Sequence, residues 1–332
     1  MQIGKSLIIL LTLGALMCIV PSSGSAKNRK ANCDKGKSLQ KRIDKSNPGD
    51  TISVIGICKE NVTISASKSD LVIFGEGANA GIQGQDPGLP TMEIRGRGIT
   101  IRDLRFDGGR DGIVVLLGGM ATILGNTITD MALNGIAVVE NAFADIGLTG
   151  PPSDLTFDGN ILTGNRVGIL VFSVSGAKIS DNTITNNQIV GIEVDDGSSV
   201  RVGIPFDGAE GANIITGNGT GSAGITVSDS SSADIKGNTI SGNTGDGVKI
   251  SGGSSGMVID NVIQKNTENG VEVTRNSALE VKGNLTDDTE TNGGDAVRCS
   301  INSSGVGDLD GLRGTGGDVV NADGSCKLDI NI

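Results

Sequence analysis

The chain contains 332 residues, including 53 glycines but only 7 prolines, and 20% of its residues are charged. It has no His, Trp or Tyr, and six Phe are its only aromatic residues. The absence of histidine excludes Ser-His-Asp and Cys-His nucleophile systems, zinc sites built on histidine, and histidine general bases. Carboxylates, Lys, Arg and hydroxyl groups remain available for chemistry.

The formal net charge is −11, and it is unevenly distributed along the chain. Residues 27–46 carry a net charge of +6, whereas residues 47–332 carry −18. Binding to nucleic acid requires clustered Lys and Arg, so we expect no nucleic-acid partner. Anionic membrane surfaces are disfavoured for the same reason, and the acidity could also serve solubility alone.

Residues 1–26 have the pattern of a signal peptide. Lys5 supplies the positive charge, residues 6–20 form an apolar run, and small residues precede a cleavage site before Lys27. A retained membrane anchor is the alternative, but the run is shorter than the ~20 residues that a membrane span needs. A lipoprotein acylated at Cys18 is a second alternative, although the preceding residues fit that motif poorly. We expect a secreted, periplasmic or cell-surface protein with no membrane span in the mature chain.

Four cysteines remain after the predicted cleavage, and an even number in an oxidising compartment predicts disulfides. Three pairings are possible. Two cysteines lie near each end of the chain, which favours Cys33–Cys58 and Cys299–Cys326. Each bridge would then fasten one terminus.

An internal repeat dominates the sequence. A Gly-(Ile/Val)-x-(Val/Ile) motif recurs with spacings of 23 or 33 residues, which indicates a 23-residue unit with two insertions of ten. The motif begins at Gly112, Gly135, Gly168, Gly191, Gly224, Gly247 and Gly270.

Two columns of asparagine accompany this repeat. The first consists of Asn126, Asn160, Asn182, Asn213, Asn238, Asn261 and Asn284. The second, five residues further on, consists of Asn165, Asn187, Asn218, Asn243 and Asn266. Stacking the units about 4.8 Å apart would convert each column into a ladder of amides that hydrogen-bond to one another and to the turns.

Each unit has the pattern of three short strands separated by Gly-, Asn-, Asp- and Ser-rich turns. Such stacked units predict an all-β solenoid. The sequence resembles the right-handed parallel β-helix proteins of the pectate-lyase-like superfold, especially the carbohydrate-binding and sugar-hydrolase repeat branch. Residues 38–43, 48–54 and 58–64 are similar to the capping helix and first coil of that family. The resemblance implies a fold but little about function, because this superfold carries lyases, hydrolases, epimerases, adhesins and structural rods.

We therefore predict one right-handed parallel β-helix domain over residues 27–332, with ten to twelve coils and a length of about 50 Å. Residues 27–50 would form the N-terminal cap, 51–290 the coils, and 291–332 irregular C-terminal coils and a cap. Open solenoid ends expose unpaired strand edges, which a cap must cover.

The predicted N-terminal cap contains a short amphipathic helix over residues 36–46, with Leu39 and Ile43 on its apolar face. Its basic outer face accounts for the local positive charge without any ligand. A binding patch is the less favoured interpretation.

The two insertions suggest a binding cleft. We place them at residues 141–154 and 201–212, where both would rise from the same edge with one plain coil between them. Phe143 and Phe206 lie in the loops and Phe172 in the plain coil, so all three are candidate substrate-binding residues for a polysaccharide or cell-surface glycan. Alternatively, the two loops pack on each other with the Phe rings as their core.

A cluster of carboxylates lies beside this predicted cleft. Glu193, Asp195 and Asp196 could supply the acid and base of glycoside hydrolysis. Asp195 with Asp196 could also bind calcium, and the sequence implies no other cofactor. Residues 191–196 are weakly similar to the paired-aspartate strand of polygalacturonase-like β-helix hydrolases. However, the Gly-His-Gly and Arg-Ile-Lys motifs of that family are absent, and surface acids in a turn are usually only solvated.

Glu193 also belongs to a predicted outward-facing column, two residues after each repeat glycine. The column consists of Val114, Ala137, Leu170, Glu193, Thr226, Lys249 and Glu272.

Three functions are compatible with the sequence. We favour a secreted, non-catalytic and monomeric module that binds polysaccharide or acts as a surface or structural module, because no catalytic motif of the family is present. A polysaccharide hydrolase or lyase that uses the carboxylate cluster is the first alternative. An adhesion or maturation factor that binds another protein is the second.

Overall fold

The structure is a computed structural model that describes residues 26–150, 155–204, 210–220, 222–286, 290–309 and 311–331. Strands stack in parallel into three sheets that run along one axis, so the predicted parallel β-helix is confirmed. Each coil passes from a middle sheet of eleven strands to a long sheet of thirteen and then to a short sheet of nine. The predicted signal peptide lies outside the described residues, except for Ala26.

The strands of each sheet follow in chain order. The long sheet contains Asn28–Asn32, Thr51–Ile55, Val72–Gly75, Ile99–Arg102, Met120–Leu124, Phe143–Ile146, Gly176–Ile179, Ser199–Gly203, Ser232–Lys236, Ser255–Ile259, Ala278–Lys282, Ser304–Asp308 and Lys327–Asn331. The middle sheet contains Val62–Ile64, Met92–Ile94, Ile113–Val115, Asn134–Val139, Val167–Phe172, Val190–Val194, Ser222–Val227, Gly245–Ile250, Val271–Val273, Asp295–Cys299 and Gly317–Asn321. The short sheet contains Ile57–Lys59, Gly81–Gly84, Arg105–Gly108, Thr127–Thr129, Ile161–Thr163, Thr183–Thr185, Ile214–Thr216, Thr239–Ser241 and Val262–Gln264.

The long sheet shows that the solenoid has about thirteen coils rather than ten to twelve. The additional strands come from the two ends of the chain. Asn28–Asn32 pairs with the first predicted coil, and Lys327–Asn331 continues the ladder in the segment predicted to be irregular. Thirteen strands about 4.8 Å apart give a length of about 58 Å.

Both predicted asparagine ladders are present at the two corners that flank the short sheet. Asn182, for example, is fully buried, and its Nδ2 donates to Asn213 Oδ1 at 3.0 Å and to the Ile146 carbonyl at 3.0 Å. In the second ladder, Asn187 Nδ2 donates to Asn218 Oδ1 at 2.9 Å. Each buried amide therefore finds its hydrogen-bond partners in the coils on either side, which makes its burial tolerable.

A third ladder, of serines, lies at the corner between the middle and long sheets and was not predicted. Each backbone N–H donates to the hydroxyl of the next serine, as in Ser198 N to Ser231 Oγ at 3.1 Å. The members are Ser175, Ser198, Ser231, Ser254, Ser277 and Ser303. At all three corners, buried polar side chains thus hydrogen-bond successive coils to one another.

The N-terminal helix is shorter than predicted and spans Leu39–Asp44, with Leu39 and Ile43 buried. Ser38 caps it, since its hydroxyl accepts from Lys41 N at 3.1 Å. Gln40 exchanges two hydrogen bonds with the backbone of Thr63, in the first strand of the middle sheet. The helix therefore satisfies a strand edge that would otherwise be unpaired.

The two predicted disulfides, Cys33–Cys58 and Cys299–Cys326, are confirmed. Their Cα atoms are 5.0 Å and 6.0 Å apart, respectively. The first joins the segment before the helix to the first strand of the short sheet. The second joins the last regular coils.

Within the described part of the chain, no helix has the length and apolarity needed to cross a membrane.

Candidate functional site

A groove with a volume of about 430 Å³ runs along the outer surface of the long sheet. It crosses five strands, and its lining combines small and large side chains. The lining residues are Ser199, Val200, Ser232, Ala233, Asp234, Ser255, Gly256, Met257, Ala278, Leu279, Glu280 and Val306.

The groove results from a register of small residues. The first outward position of successive strands holds Ser199, Ser232, Ser255 and Ala278, which pair directly with one another. The second outward position holds larger side chains, namely Arg201, Asp234, Met257 and Glu280. The small row leaves an open channel, and the large row borders it. The sequence did not predict this arrangement, although a small residue recurs at the first outward position of these strands.

Phe143 ends the small row on its N-terminal side. It occupies the same outward position and pairs with Gly176, the next member of the row. A Cβ atom on Gly176 would lie 3.1 Å from Phe143 Cδ2, so the ring lies over this glycine. Lys178 Nζ lies 5.6 Å from the centroid of the ring. An aromatic face is therefore present in line with the groove.

A smaller pocket of about 170 Å³ adjoins the groove and shares Asp234 and Met257 with it. Its lining includes Ile204, at the start of the second insertion, and Lys236. The side chain of Ile204 fills the space where a Cβ of Gly237 would lie. The second insertion therefore begins at the side of the groove.

The insertions begin later in the coil than the sequence suggested. Phe143–Ile146 and Ser199–Gly203 are regular strands of the long sheet, so each insertion starts after its long-sheet strand and ends before the short-sheet strand Ile161–Thr163 or Ile214–Thr216. The first insertion was expected too early because the outward-facing Phe143 interrupts the alternation of apolar and polar residues that is typical of a strand. In the first insertion, Leu148–Thr149 pairs with Thr156–Phe157 in an antiparallel ladder.

The two insertions contact each other. A Cβ on Gly211 of the second would collide with the ring of Phe157 in the first. This contact agrees with the alternative in which the two insertion loops pack on each other around phenylalanine. The ring at the contact is that of Phe157, not that of Phe143. Phe206 lies outside the described residues.

Phe172 and the predicted carboxylates lie on the middle sheet, across a corner from the groove. Phe172 is 39% exposed at the end of its strand. Asp195 occupies the equivalent position in the next coil, since Val171 pairs with Val194. The structure thus brings Phe172 and Asp195 together, but it places Phe143 on the long sheet.

Glu193 is half-buried, and burial raises its pKa, with a further increase from the neighbouring Asp195 and an opposing effect of Arg166. Asp195 Oδ1 accepts from Asp196 N at 2.9 Å and from Ser228 Oγ at 3.1 Å. Asp196 is exposed, with a left-handed φ of 52°. A carboxyl with a raised pKa next to a second carboxyl is an arrangement that acid–base catalysis uses.

The predicted outward column of the middle sheet is confirmed by its register, from Leu170 through Glu193 to Glu272. Lys249 forms ion pairs with Glu272 and with the buried Asp246, whose Oδ2 lies 3.7 Å away. Burial and the nearby Glu272 raise the pKa of Asp246 to about 7. Asp246 could not be predicted from the sequence, because its hydrogen-bond donor Asn269 and the carboxyl of Glu272 come from the next coil.

Among the described residues, one group of three side chains is close enough together to hold a metal ion, namely Cys33, Cys58 and Glu60. Its two sulfurs are joined in a disulfide, and Glu60 accepts hydrogen bonds from Ser38 and Leu39 at the start of the helix. This group is therefore structural. Calcium binding at Asp195 and Asp196 stays a prediction.

Comparison with solved structures shows the same fold in proteins of low sequence identity. The A-module of the Azotobacter vinelandii mannuronan C-5 epimerase AlgE6 matches with a TM-score of 0.59 and 14% identity, covering 91% of this chain and 99% of that module. The enzymatically active domain of bacteriophage CBA120 tailspike protein 2 matches with a TM-score of 0.65 and 13% identity, over 91% of this chain and 52% of that one. The GH87 α-1,3-glucanase of Streptomyces thermodiastaticus matches with a TM-score of 0.57 and 12% identity, over 93% and 68%.

No curated protein has a significant sequence match to the chain. The sequence profile of the right handed beta helix region matches residues 51–208 and 210–307, which is most of the chain. Together with the three stacked sheets, this match shows that the chain belongs to the right-handed β-helix family.

Proposed function

We propose that the chain is an exported, non-catalytic protein that binds an extended polysaccharide in the groove of the long sheet. The observation that carries this proposal is the row of small residues from Ser199 to Ala278, aligned with the ring of Phe143. The groove crosses five strands, or about 19 Å, which accommodates several sugar units. A linear ligand fits a linear channel.

The chemistry of the groove suits sugars. Serine hydroxyls on its floor can exchange hydrogen bonds with sugar hydroxyls, and Met257 and Val306, 41% and 49% exposed, offer apolar surface to the ring faces. Arg201 and Asp234, 3.9 Å apart at its border, can act as donor and acceptor. This mixture of apolar surface and few fixed polar groups is typical of ligand sites.

The similar folds support the ligand class. The names of the three solved proteins describe a mannuronan epimerase, a tailspike and an α-1,3-glucanase. At 12–14% identity, these similarities establish fold only, so the ligand class belongs to the proposal. The two disulfides support export, since such bonds persist in oxidising compartments.

Hydrolysis or lysis of the polysaccharide is the alternative, with Glu193 and Asp195 as the acid–base pair and Asp196 beside them. The raised pKa of Glu193 favours this alternative. Against it, these carboxylates lie across a corner from the groove, on another sheet. We expect a monomer without a nucleic-acid partner, and no essential metal.

A panel of soluble polysaccharides tests the proposal, with affinity electrophoresis to detect retention and reducing-end and unsaturated-product assays to detect cleavage. We expect retention without product. Product release that is abolished by Glu193→Gln or Asp195→Asn would establish the enzyme instead. Absence of retention on every glycan would favour the protein-binding alternative.

A further inference from the structure

The short sheet presents a second regular surface, unrelated to the groove. In its five strands from Thr127–Thr129 to Thr239–Ser241, the central residue is buried and its two neighbours point outward. The outward residues therefore form two rows. The first row is Thr127, Ile161, Thr183, Ile214 and Thr239, and the second is Thr129, Thr163, Thr185, Thr216 and Ser241.

None of these ten outward side chains is charged or aromatic, in a chain in which 20% of residues are charged. The rows begin after Arg105 and Asp107 of the preceding strand and continue into Val262 and Gln264. The middle and long sheets, in contrast, place Lys, Arg, Asp and Glu in their outward columns. The uncharged stretch is therefore a local property of this surface, which we name the threonine face.

The threonine face is rigid for two reasons. Nine of its ten side chains are β-branched, and such side chains have few rotamers on a strand. Four of the five strands also lie between asparagines of the two ladders, whose amides fix both strand ends, as Asn160 and Asn165 do for Ile161–Thr163. After Thr127–Thr129, Met131 N donates to Asn165 Oδ1 instead. Hydroxyl and methyl groups are thereby held at fixed positions.

The spacing of these groups is periodic in two directions. Neighbouring members of a row are about 4.8 Å apart, and the two rows are about 6.6 Å apart along each strand. The face extends over five strands, or about 19 Å. A single polymer chain repeats in one direction only, whereas a crystal surface repeats in two.

We infer that the threonine face binds ice. Ice is uncharged, and its surface presents water molecules as a two-dimensional lattice to which a regular array of hydroxyl and methyl groups can bind. Threonine hydroxyls can join the hydrogen-bond network of the water molecules in ice. The threonine methyl groups and the side chains of Ile161 and Ile214, which are nearly half exposed, order the adjacent water further. A crystalline polysaccharide is the competing two-dimensional lattice, but this face has no aromatic side chain on which sugar rings could stack.

This inference concerns a different surface from the polysaccharide groove, so the two can fail separately. The test compares the full mature chain with two double variants of equal added charge. Thr163→Lys/Thr185→Lys disrupts the threonine face, and Ser232→Lys/Ser255→Lys disrupts the groove and acts as the matched control. Ice recrystallisation and partition into slowly growing ice are the readouts, and circular dichroism melting verifies folding.

We expect the wild-type chain to inhibit recrystallisation and to enter ice. Thr163→Lys/Thr185→Lys should lose both properties, and Ser232→Lys/Ser255→Lys should keep them. The single variant Thr185→Lys, at the centre of the face, replaces the double variant if the latter does not fold. Two results would overturn the inference: a wild-type chain that leaves ice growth unchanged, or inhibition that survives disruption of the face. Retention on crystalline cellulose or chitin that depends on Thr163 and Thr185 would assign the face to a solid glycan instead.

Discussion

The inside and the outside of the same coils follow different rules. Inside, Asn182 is followed at the same position by Asn213 and Asn238 in the next two coils. Outside, Glu193 is followed by Thr226 and then by Lys249. The same residue type recurs at interior positions because each buried amide needs an amide partner in the next coil. The outer positions of Glu193, Thr226 and Lys249 face solvent and need no such partner. Function must therefore be sought on the outer faces, and stability in the ladders.

The largest effect is expected from a break in an asparagine ladder. Asn213→Ala removes the acceptor of Asn182 N and Nδ2 and the donor to the Ile179 carbonyl. Unsatisfied buried groups cost about 1–3 kcal/mol each, so we expect the free energy of unfolding to fall by about 3 kcal/mol or more. Urea unfolding measures it. The exposed Gln188→Ala is the control, and an equal, small loss in both variants would contradict the ladder's role.

A break in the serine ladder should cost less. Ser231→Ala removes one acceptor and leaves only Ser198 N without its partner. We expect a loss of about 1–2 kcal/mol in the same unfolding measurement, below that of Asn213→Ala. If Ser231→Ala lowers the free energy of unfolding as much as Asn213→Ala does, the serine ladder is as important for stability as the asparagine ladder, contrary to this prediction.

A buried carboxyl should affect stability in another way than the ladders, through its dependence on pH. The folded-state pKa of Asp246 is raised to about 7 from an ordinary 3.8, so this group favours folding most at low pH. The stabilising effect of Asp246 on the free energy of unfolding is fully present below about pH 4 and declines as the pH rises to about 7. Asp246→Asn keeps an oxygen for the two hydrogen bonds from Asn269 but cannot ionise.

We therefore expect the wild-type unfolding free energy to fall more steeply between about pH 4 and pH 7 than that of Asp246→Asn. Above about pH 7, the variant should be at least as stable as the wild type. Parallel pH profiles of the two proteins would show that Asp246 does not titrate in this range.

The sequence predicts the repeating interior well and the outer surfaces less well. The asparagine columns and Glu193's column follow directly from the 23-residue spacing. The serine ladder recurs with the same spacing but was not identified, because serine is also an ordinary turn residue. The groove could not be predicted as a site, since a row of small residues forms a channel only when larger neighbours such as Met257 border it. Phe143 was assigned to a loop because an outward aromatic residue interrupts the apolar alternation.

Binding of polysaccharide in the long-sheet groove can be tested by comparing dissociation constants. For the glycan that the wild-type chain retains best, we expect Ser232→Lys/Ser255→Lys to weaken binding at least about tenfold, or about 1.4 kcal/mol. Thr163→Lys/Thr185→Lys, with the same added charge on the short sheet, should bind as the wild type does. Equal affinities for the groove variant and the wild type would contradict the account.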